Sequence, residues 1–436
     1  MRSNTAVKSK SPIEDKTSYL KAIGPGLLFA GSAVGVSHLV QSTRAGAMYG
    51  FGLVVFIAIA FLVKYPGFSF APRYAVATGK SVLSSYRRQG FFALSFYVLA
   101  SLFTMFIGAA ANLLVTAGLV NAVLGIDANV LLVSVVVSTV GGSLLVLGHY
   151  HWLDQVVRVL IAFLTVATFS AAVVALPMIQ WDVSGVWQPT NYDMATLLFI
   201  AALIGWMPTP SDVSVWQSQW IVAKIRDTGH TPNQREAKMD FHIGYIATLI
   251  LALCFLILGA AVMHGSGQRF EGGAVEFAAQ VIGLYENALG KWSGAAVGFS
   301  ALAVMFSTFI TILDGFPRGL ANFMLMLKGY EEGVSDNPRI EILRQRFYWS
   351  LIVLLIIGSL LILSFFLNSL KQLVDFAATV SFLAAPVFAL LNHRAIFSEE
   401  VPKEARPGKS LLLWSYGSMV LLSSFAIGYI YLVFVR

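Results

Sequence analysis

Two long apolar stretches of the chain are each interrupted by polar, Gly and Pro residues. The first interruption reads Ser32-Ala33-Val34-Gly35-Val36-Ser37-His38, the second Gly205-Trp206-Met207-Pro208-Thr209-Pro210-Ser211-Asp212. A cation that sheds its water needs hard oxygens, an imidazole or a thioether, according to its softness. Between them the two interruptions carry all three: hydroxyls on Ser37, Thr209 and Ser211, backbone carbonyls around Ser32, Gly35 and Trp206, the imidazole of His38, the carboxylate of Asp212 and the thioether of Met207. An ionisable group at membrane depth is costly and is a functional candidate by default. Asp212 follows its break by a few residues and should enter the first turn of the second half-helix, where the helix dipole favours an anion. Two roles fit it there: capping the freed amides, or touching a cargo or gate. His38 also has two readings, a neutral imidazole satisfying loose carbonyls or a ligand whose near-neutral pKa lets it respond to pH.

The elements that must position these residues are membrane helices. The 436-residue chain is 57% hydrophobic and 12% charged, with a mean hydropathy of +0.75. A soluble domain carries roughly 25% charged residues, so this chain has too few to cover a water-facing surface. Apolar runs of about 18 residues or more read as spanning helices, and about eleven are expected, near 20–49, 51–77, 91–119, 129–148, 155–178, 194–220, 241–264, 292–326, 346–367, 369–392 and 411–434. The fold class is therefore an all-α integral membrane protein. Backbone groups freed inside a span are tolerated only where protein or a wet cavity covers them. A pair of interrupted spans in corresponding halves of a chain points to a transporter's binding site.

Charge placement sets the expected orientation. Residues 1–18 are polar, with Arg2, Lys8, Lys10 and Lys16, and read as a cytoplasmic tail. The net charge of +7 does not point to nucleic acid, because Lys and Arg collect in alternate loops: Lys80, Arg87 and Arg88; Lys224, Arg226, Arg235 and Lys238; Lys328, Arg339, Arg344 and Arg346; Arg394, Lys403, Arg406 and Lys409. Positive-inside logic places the N-terminus in the cytoplasm and, with an odd helix number, the C-terminus outside. The membrane expected is a prokaryotic inner membrane. The single Cys254 excludes an intrachain disulfide.

The motif residues resemble one family. Gly24-Pro25-Gly26-Leu27-Leu28, then Ala45-Gly46-Ala47-Met48-Tyr49-Gly50-Phe51, then Ala77-Thr78-Gly79-Lys80 resemble the first two helices of the Nramp (natural resistance-associated macrophage protein) family of divalent-metal transporters. Ile204-Gly205 and Met207-Pro208 resemble the start of its sixth helix. The resemblance implies a LeuT-type fold: two inverted five-helix repeats, at about 20–178 and 194–392, and an extra helix at 411–434, with helices 1 and 6 broken. It also exposes departures. The family's metal-binding Asp-Pro-Gly-Asn falls on Gly35-Val36-Ser37-His38, so the carboxylate is gone. Its helix-6 Met-Pro-His falls on Met207-Pro208-Thr209 or, without an upstream gap, on Thr209-Pro210-Ser211. The helix-3 acids that carry protons fall near Asn112 and Val115, and a second helix-6 His falls at or near Trp216. By this resemblance Met207 is a candidate ligand for a soft ion, although a lone Met in an apolar helix is commonly packing. With His38 and Asp212 it makes the candidate metal set. Asn112, Trp216 and Asp375 are candidate gate or pathway residues, Asp375 because helix 10 lines the pathway in this fold.

Other charges read as structural. Asp314 and Arg318, four apart, can pair on one helix face, while Arg44 and Lys64 need partners or a wet vestibule. The spacing of His149, His151 and Asp154 could bind metal, or be a solvated loop beside Trp152. Trp206, Trp216 and Trp220 either narrow the path or pack the core. Gly108-Ala109-Ala110-Ala111 and Gly141-Gly142 are small-residue strips suited to close helix approach. No H-E-x-x-H, G-x-G-x-x-G or G-x-x-x-x-G-K-[ST] occurs, so neither an enzyme nor a nucleotide cofactor is expected, and no cofactor is assigned. The partners expected are a small-ion or small-molecule cargo and the lipid bilayer. Three readings follow: a secondary transporter moving an inorganic, divalent cation by alternating access; a carrier of a small organic solute on the same scaffold; or a transport-inactive sensor. No oligomeric state is assigned.

Overall fold

The computed structural model describes residues 24–147, 150–179, 181, 192–264, 273–332, 338–367 and 369–434. The tail expected at 1–18 and the side chains of His149, His151 and Asp154 lie outside them. Every regular element among the described residues is helical. In chain order these are α1 (Pro25–Ala33), α2 (Thr43–Tyr49), α3 (Val54–Thr78), α4 (Val82–Arg88), α5 (Phe91–Leu124), α6 (Val130–Leu147), α7 (Tyr150–Ala175), α8 (Met194–Trp206), α9 (Val213–Thr228), α10 (Gln234–Val262), α11 (Ala274–Leu289), α12 (Trp292–Leu327), α13 (Pro338–Phe365), α14 (Leu370–Ile396) and α15 (Lys409–Phe434). Eight of the described helices are long and apolar enough to cross a membrane. The expected spans that are not among the eight differ for local reasons. The first is divided into α1, a π-helical turn at Ser37–Ser42 and α2, and the sixth into α8 and α9. Near 129–148 lies the shorter apolar helix Val130–Val146.

Local chemistry explains both divisions. Pro25 opens α1 at a position where its missing N–H costs nothing. Val34 and Gly35 leave the α-helix, and wider π-helical turns take up the slack before α2. In the second span Pro208 and Pro210 supply no N–H to the preceding turn, so α8 ends at Trp206 and helix resumes only at Val213. The unwound stretch is Met207–Asp212.

The two halves of the first span are seated against α10 by backbone contact. A Cβ on Gly26 would collide with the Asp240 carbonyl, and one on Gly244 with the Gly26 carbonyl. Higher up, Gly46 faces the Leu256 carbonyl and Gly259 the Thr43 carbonyl. In the second span Gly205 touches the Ala378 carbonyl of α14. Within the small-residue strips, a Cβ on Gly108 would meet nothing within 4 Å, and Gly141 and Gly142 have ordinary van der Waals neighbours, while Ala109, Ala110 and Ala111 are fully buried. Gly244 and Gly259 on α10, with Gly26 and Gly46 opposite them, thus let both half-helices rest against α10.

Asp240 strengthens the lower contact, since its carboxylate accepts the Gly24 and Gly26 amides at 2.9 and 2.6 Å. An anion at a helix N-terminus satisfies donors that the helix itself leaves open. At the other end of the sequence, Trp414 of α15 stacks on Tyr65 of α3 with ring centroids 4.8 Å apart, and Tyr65 shares a 2.6 Å hydrogen bond with His242 of α10.

The fold predicts an asymmetric response to added volume. Gly46→Val pushes backbone against backbone and should cost roughly 1–3 kcal/mol, as overpacking does, lowering the melting temperature of the detergent-purified protein by several degrees. Gly283→Ala, on open space in α11, should leave it unchanged or slightly higher. Equal melting temperatures for the two variants would contradict the seating of α2 on α10.

Candidate functional site

Both interruptions border one cavity of about 70 Å³. The first contributes Ser32, Val36 and Ser37, the second Trp206, Thr209, Pro210 and Asp212. α5 adds Thr104, Gly108 and Asn112, α12 adds Thr308, Ile312 and Phe316, and α14 adds Ala377 and Ser381. Trp216 closes one wall, packed edge-on to Phe316 with centroids 4.5 Å apart. A volume of this order holds a few waters or one partly hydrated ion, well below the roughly 300–1,000 Å³ of a pocket for a drug-sized ligand.

The polar lining is one carboxylate with hydroxyls and an amide. Asp212 is 3% exposed and stands at the N-cap position of α9 without a side-chain cap bond. The carboxylate's polar neighbours are the amides of Asp212 and Val213 at the start of α9 and the Thr104 hydroxyl. It therefore lies against the freed amides as well as lining the cavity, and its buried Oδ2 is left without a hydrogen bond. Several neighbouring hydroxyls already serve the backbone. Ser32 Oγ donates to Phe29 O and Thr308 Oγ1 to Gly31 O, both at 2.8 Å. Ser381 Oγ accepts from Trp206 Nε1 at 3.2 Å. Such hydroxyls keep lone pairs free to accept or to coordinate.

Other sequence candidates lie elsewhere. His38 is fully buried, and it does not line the cavity. Its Nδ1 lies 2.8 Å from Ala33 O and 2.9 Å from Ser37 Oγ, and its Nε2 lies 3.0 Å from Thr248 O. The imidazole is thus occupied with carbonyls at the first break. Met207 also stays off the lining, and Ser42 Oγ donates to its sulfur at 3.8 Å. Gly35 abuts the Thr308 side chain, and Ser211 lines a separate crevice beside Lys64. The set of His38, Met207 and Asp212 is not brought together, and no group of three His, Cys, Asp or Glu suited to a metal occurs among the described residues.

The charges that needed partners have them. Arg44, 1% exposed, makes a two-point pair with Asp375 at 2.8 and 3.2 Å, and its guanidinium lies 4.8 Å from the Phe199 ring centre. Asp375 is therefore a partner of α2, away from the cavity lining. Arg318 pairs with Asp314 at 2.6 and 3.0 Å. Asp314 also accepts from Trp220 Nε1 of α9 at 3.0 Å and Tyr348 of α13 at 2.8 Å. Lys64 Nζ donates to Gly205 O at 2.6 Å and lies 3.4 Å from Thr209 O, both at the second break.

Thr104, Thr308 and Ser381 were missed by sequence reasoning. Thr104, Gly108 and Asn112 are spaced at i, i+4 and i+8, as are Thr308, Ile312 and Phe316, so each trio shares one helix face. That spacing, anchored on Asn112, was the available signal.

The all-helical fold, with two interrupted spans bordering one cavity, is the LeuT-type fold of the solved transporters it superposes on. The structure of an Eremococcus coleocola manganese transporter variant superposes with a TM-score of 0.67 at 15% identity, covering 97% of this chain and 88% of that one. MhsT in complex with L-phenylalanine gives 0.56 at 13% identity, over 94% and 98%. Mhp1, a nucleobase-cation-symport-1 family transporter, gives 0.55 at 15%, over 94% and 92%. In sequence, the family described as natural resistance-associated macrophage protein-like matches residues 26–432, and the chain belongs to the Nramp family. An uncharacterized Pasteurella multocida (strain Pm70) protein, PM0681, is 34% identical over 427 residues, 96% of this chain and 94% of its own length. The family is one of transporters, in agreement with the expectation that the chain is not an enzyme.

The Arg44–Asp375 pair gives a stability test. Removing one partner strands the other, so Arg44→Met should cost roughly 2 kcal/mol, less than a fully dry pair would because Asp375 is 32% exposed. Arg44→Met combined with Asp375→Leu should recover most of that loss. Additive losses in thermal unfolding would show that the two side chains are not energetically coupled.

Proposed function

We propose that this chain moves an inorganic cation, a divalent metal, across the membrane by alternating access, with the cargo held between the two helix breaks. The observation that supports this most is the meeting of both breaks at one small cavity whose lining includes Asp212, a buried carboxylate with one oxygen left without a hydrogen bond. The name of the Eremococcus coleocola relative in fold, a manganese transporter, points the same way. The ligands proposed are Asp212, the hydroxyls of Ser37 and Thr209, Asn112 and the loosened carbonyls near Ser32 and Trp206. Hard, mostly neutral oxygens favour an ion that keeps part of its hydration. His38, Met207, Gly35 and Ser211 support this site through the backbone around it.

The ties on the two sides of the cavity suit such a cycle. On one side Arg44 and Asp375 link α2 to α14. On the other, Asp314 links α9 to α12 and α13, and Asp240 links the start of α1 to α10. Releasing one set while the other holds would open the cavity to one side at a time. In our reading the basic loops, the N-terminus and the Asp314 and Asp240 ties face the cytoplasm of a prokaryotic cell, and the C-terminus faces outward.

A small organic solute is the second reading. It draws on the absence of a carboxylate from the first break and on the N-terminus of α9 at the cavity, but the cavity volume of about 70 Å³ disfavours it.

Purified protein in liposomes should accumulate at least one divalent metal from a panel that includes Mn²⁺, Mg²⁺, Co²⁺ and Zn²⁺. Asp212→Ala should lose at least about tenfold in flux, equivalent to roughly 1.4 kcal/mol or more, while keeping a monodisperse gel-filtration profile. With Asn112 and Val115 in place of acidic residues, metal uptake should acidify the lumen little. Absence of flux for every metal, or full flux in Asp212→Ala, would refute the proposal.

A further inference from the structure

The second break carries a cation of its own. In an unbroken helix Gly205 O would accept the N–H of residue 209 and Thr209 O that of residue 213. Here Val213 N instead donates to Pro210 O at 3.2 Å, and the two freed carbonyls converge on one ammonium, Lys64 Nζ, at 2.6 and 3.4 Å. Lys64 comes from α3 and is 3% exposed. The position suits a cation for two further reasons. Gly205 lies in the last turn of α8, the negative end of that half-helix dipole. Unwound carbonyls and half-helix C-terminal ends are where transporters with broken helices coordinate a co-transported ion. Only about 10 Å³ of space remains around the lysine, between Gly67, Ser211 and Asn392. That is less than or barely equal to what a single water needs.

We infer that Lys64 is a tethered counterpart of a coupling ion: its ammonium fills a cation seat at the break and makes the transport cycle independent of any co-transported small cation. The seat is distinct from the cargo cavity, because Lys64 does not line that cavity. The inference rests on the proposed cargo site only for its consequence in transport; the seat itself is testable by binding.

The experiment uses Lys64→Ala, which removes the ammonium and leaves a hole of its size, and Lys64→Met, which removes the charge and fills the space. Melting temperatures are measured in detergent with methylammonium chloride against equal N-methylglucamine chloride. Lys64→Ala should rise by several degrees in about 50 mM methylammonium, since a ligand that binds only the folded state stabilises it; the parent protein and Lys64→Met should not move. In liposomes, Mn²⁺ uptake by the parent should change less than twofold when Na⁺ and K⁺ are replaced by N-methylglucamine. Lys64→Ala should lose about tenfold or more and regain at least half of the parent rate with methylammonium, which a purely space-filling lysine would not predict. No methylammonium-specific stabilisation of Lys64→Ala, or parent-like uptake by Lys64→Met, would overturn the inference. If Lys64→Ala is isolated only in methylammonium, its unfolding on exchange into N-methylglucamine supports the seat, and unfolding in both refutes it. Absence of metal flux in the parent alongside methylammonium stabilisation of Lys64→Ala would refute the cargo reading and leave the seat standing.

Discussion

Everything distinctive in this molecule follows from one constraint: a backbone polar group at membrane depth must find a partner within the protein or a wet cavity. Two spans give up their helical hydrogen bonds at Val34–Gly35 and at Met207–Asp212, and the surrounding helices answer each loss with specific side chains. At the first break, Thr308 of α12 reaches Gly31 O, while Ser37 and His38 serve Ala33 O. At the second, Lys64 of α3 serves Gly205 and Thr209. The cavity is the space left between these two repaired regions, so the residues that mend the breaks also shape the site.

The division of labour separates charge from contact. The charges on the spanning helices are held in defined partnerships: Arg44 with Asp375, Arg318 with Asp314, Asp240 with two amides, Lys64 with two carbonyls. Asp212 is different in leaving a buried oxygen unpartnered. Leaving a buried acceptor unsatisfied costs on the order of 1–3 kcal/mol, and natural structures keep such groups chiefly where a ligand, water or ion can satisfy them. The membership of the Nramp family sharpens the contrast. The inherited scaffold is intact, while the helix-1 carboxylate that the family resemblance leads one to expect is replaced by a segment in which His38 is engaged with carbonyls.

Much of this was legible in the sequence because the breaks are written in Gly and Pro. Pro208 and Pro210 cannot donate, and their effect is local, so the end of α8 could be placed from spacing alone. The pairing of Asp314 with Arg318 was visible for the same reason, four residues apart on one helix. Partnerships across the fold were not visible. Arg44 and Asp375 are 331 residues apart, and nothing in either neighbourhood names the other. Thr104, Thr308 and Ser381 sit in largely apolar helices, where a single hydroxyl carries little signal until the helix's facing surface is known. His38 and Met207 carried the right chemistry for ligands, yet their direction is set by α10 and the π-helical turn, through Thr248 O and Ser42 Oγ. Side-chain direction near a break depends on how many residues the irregular turn consumes. The π-helical turn at Ser37–Ser42 shifts that count in a way composition does not reveal.

The central claim is that the two breaks form one seat for a transported cation. The most direct measurement is anomalous X-ray diffraction from crystals grown with Mn²⁺. The account predicts a single interior peak within bonding distance of Asp212 and between the segments 32–37 and 206–212. A peak elsewhere in the membrane region, or an empty cavity at Mn²⁺ concentrations that saturate transport, would contradict it.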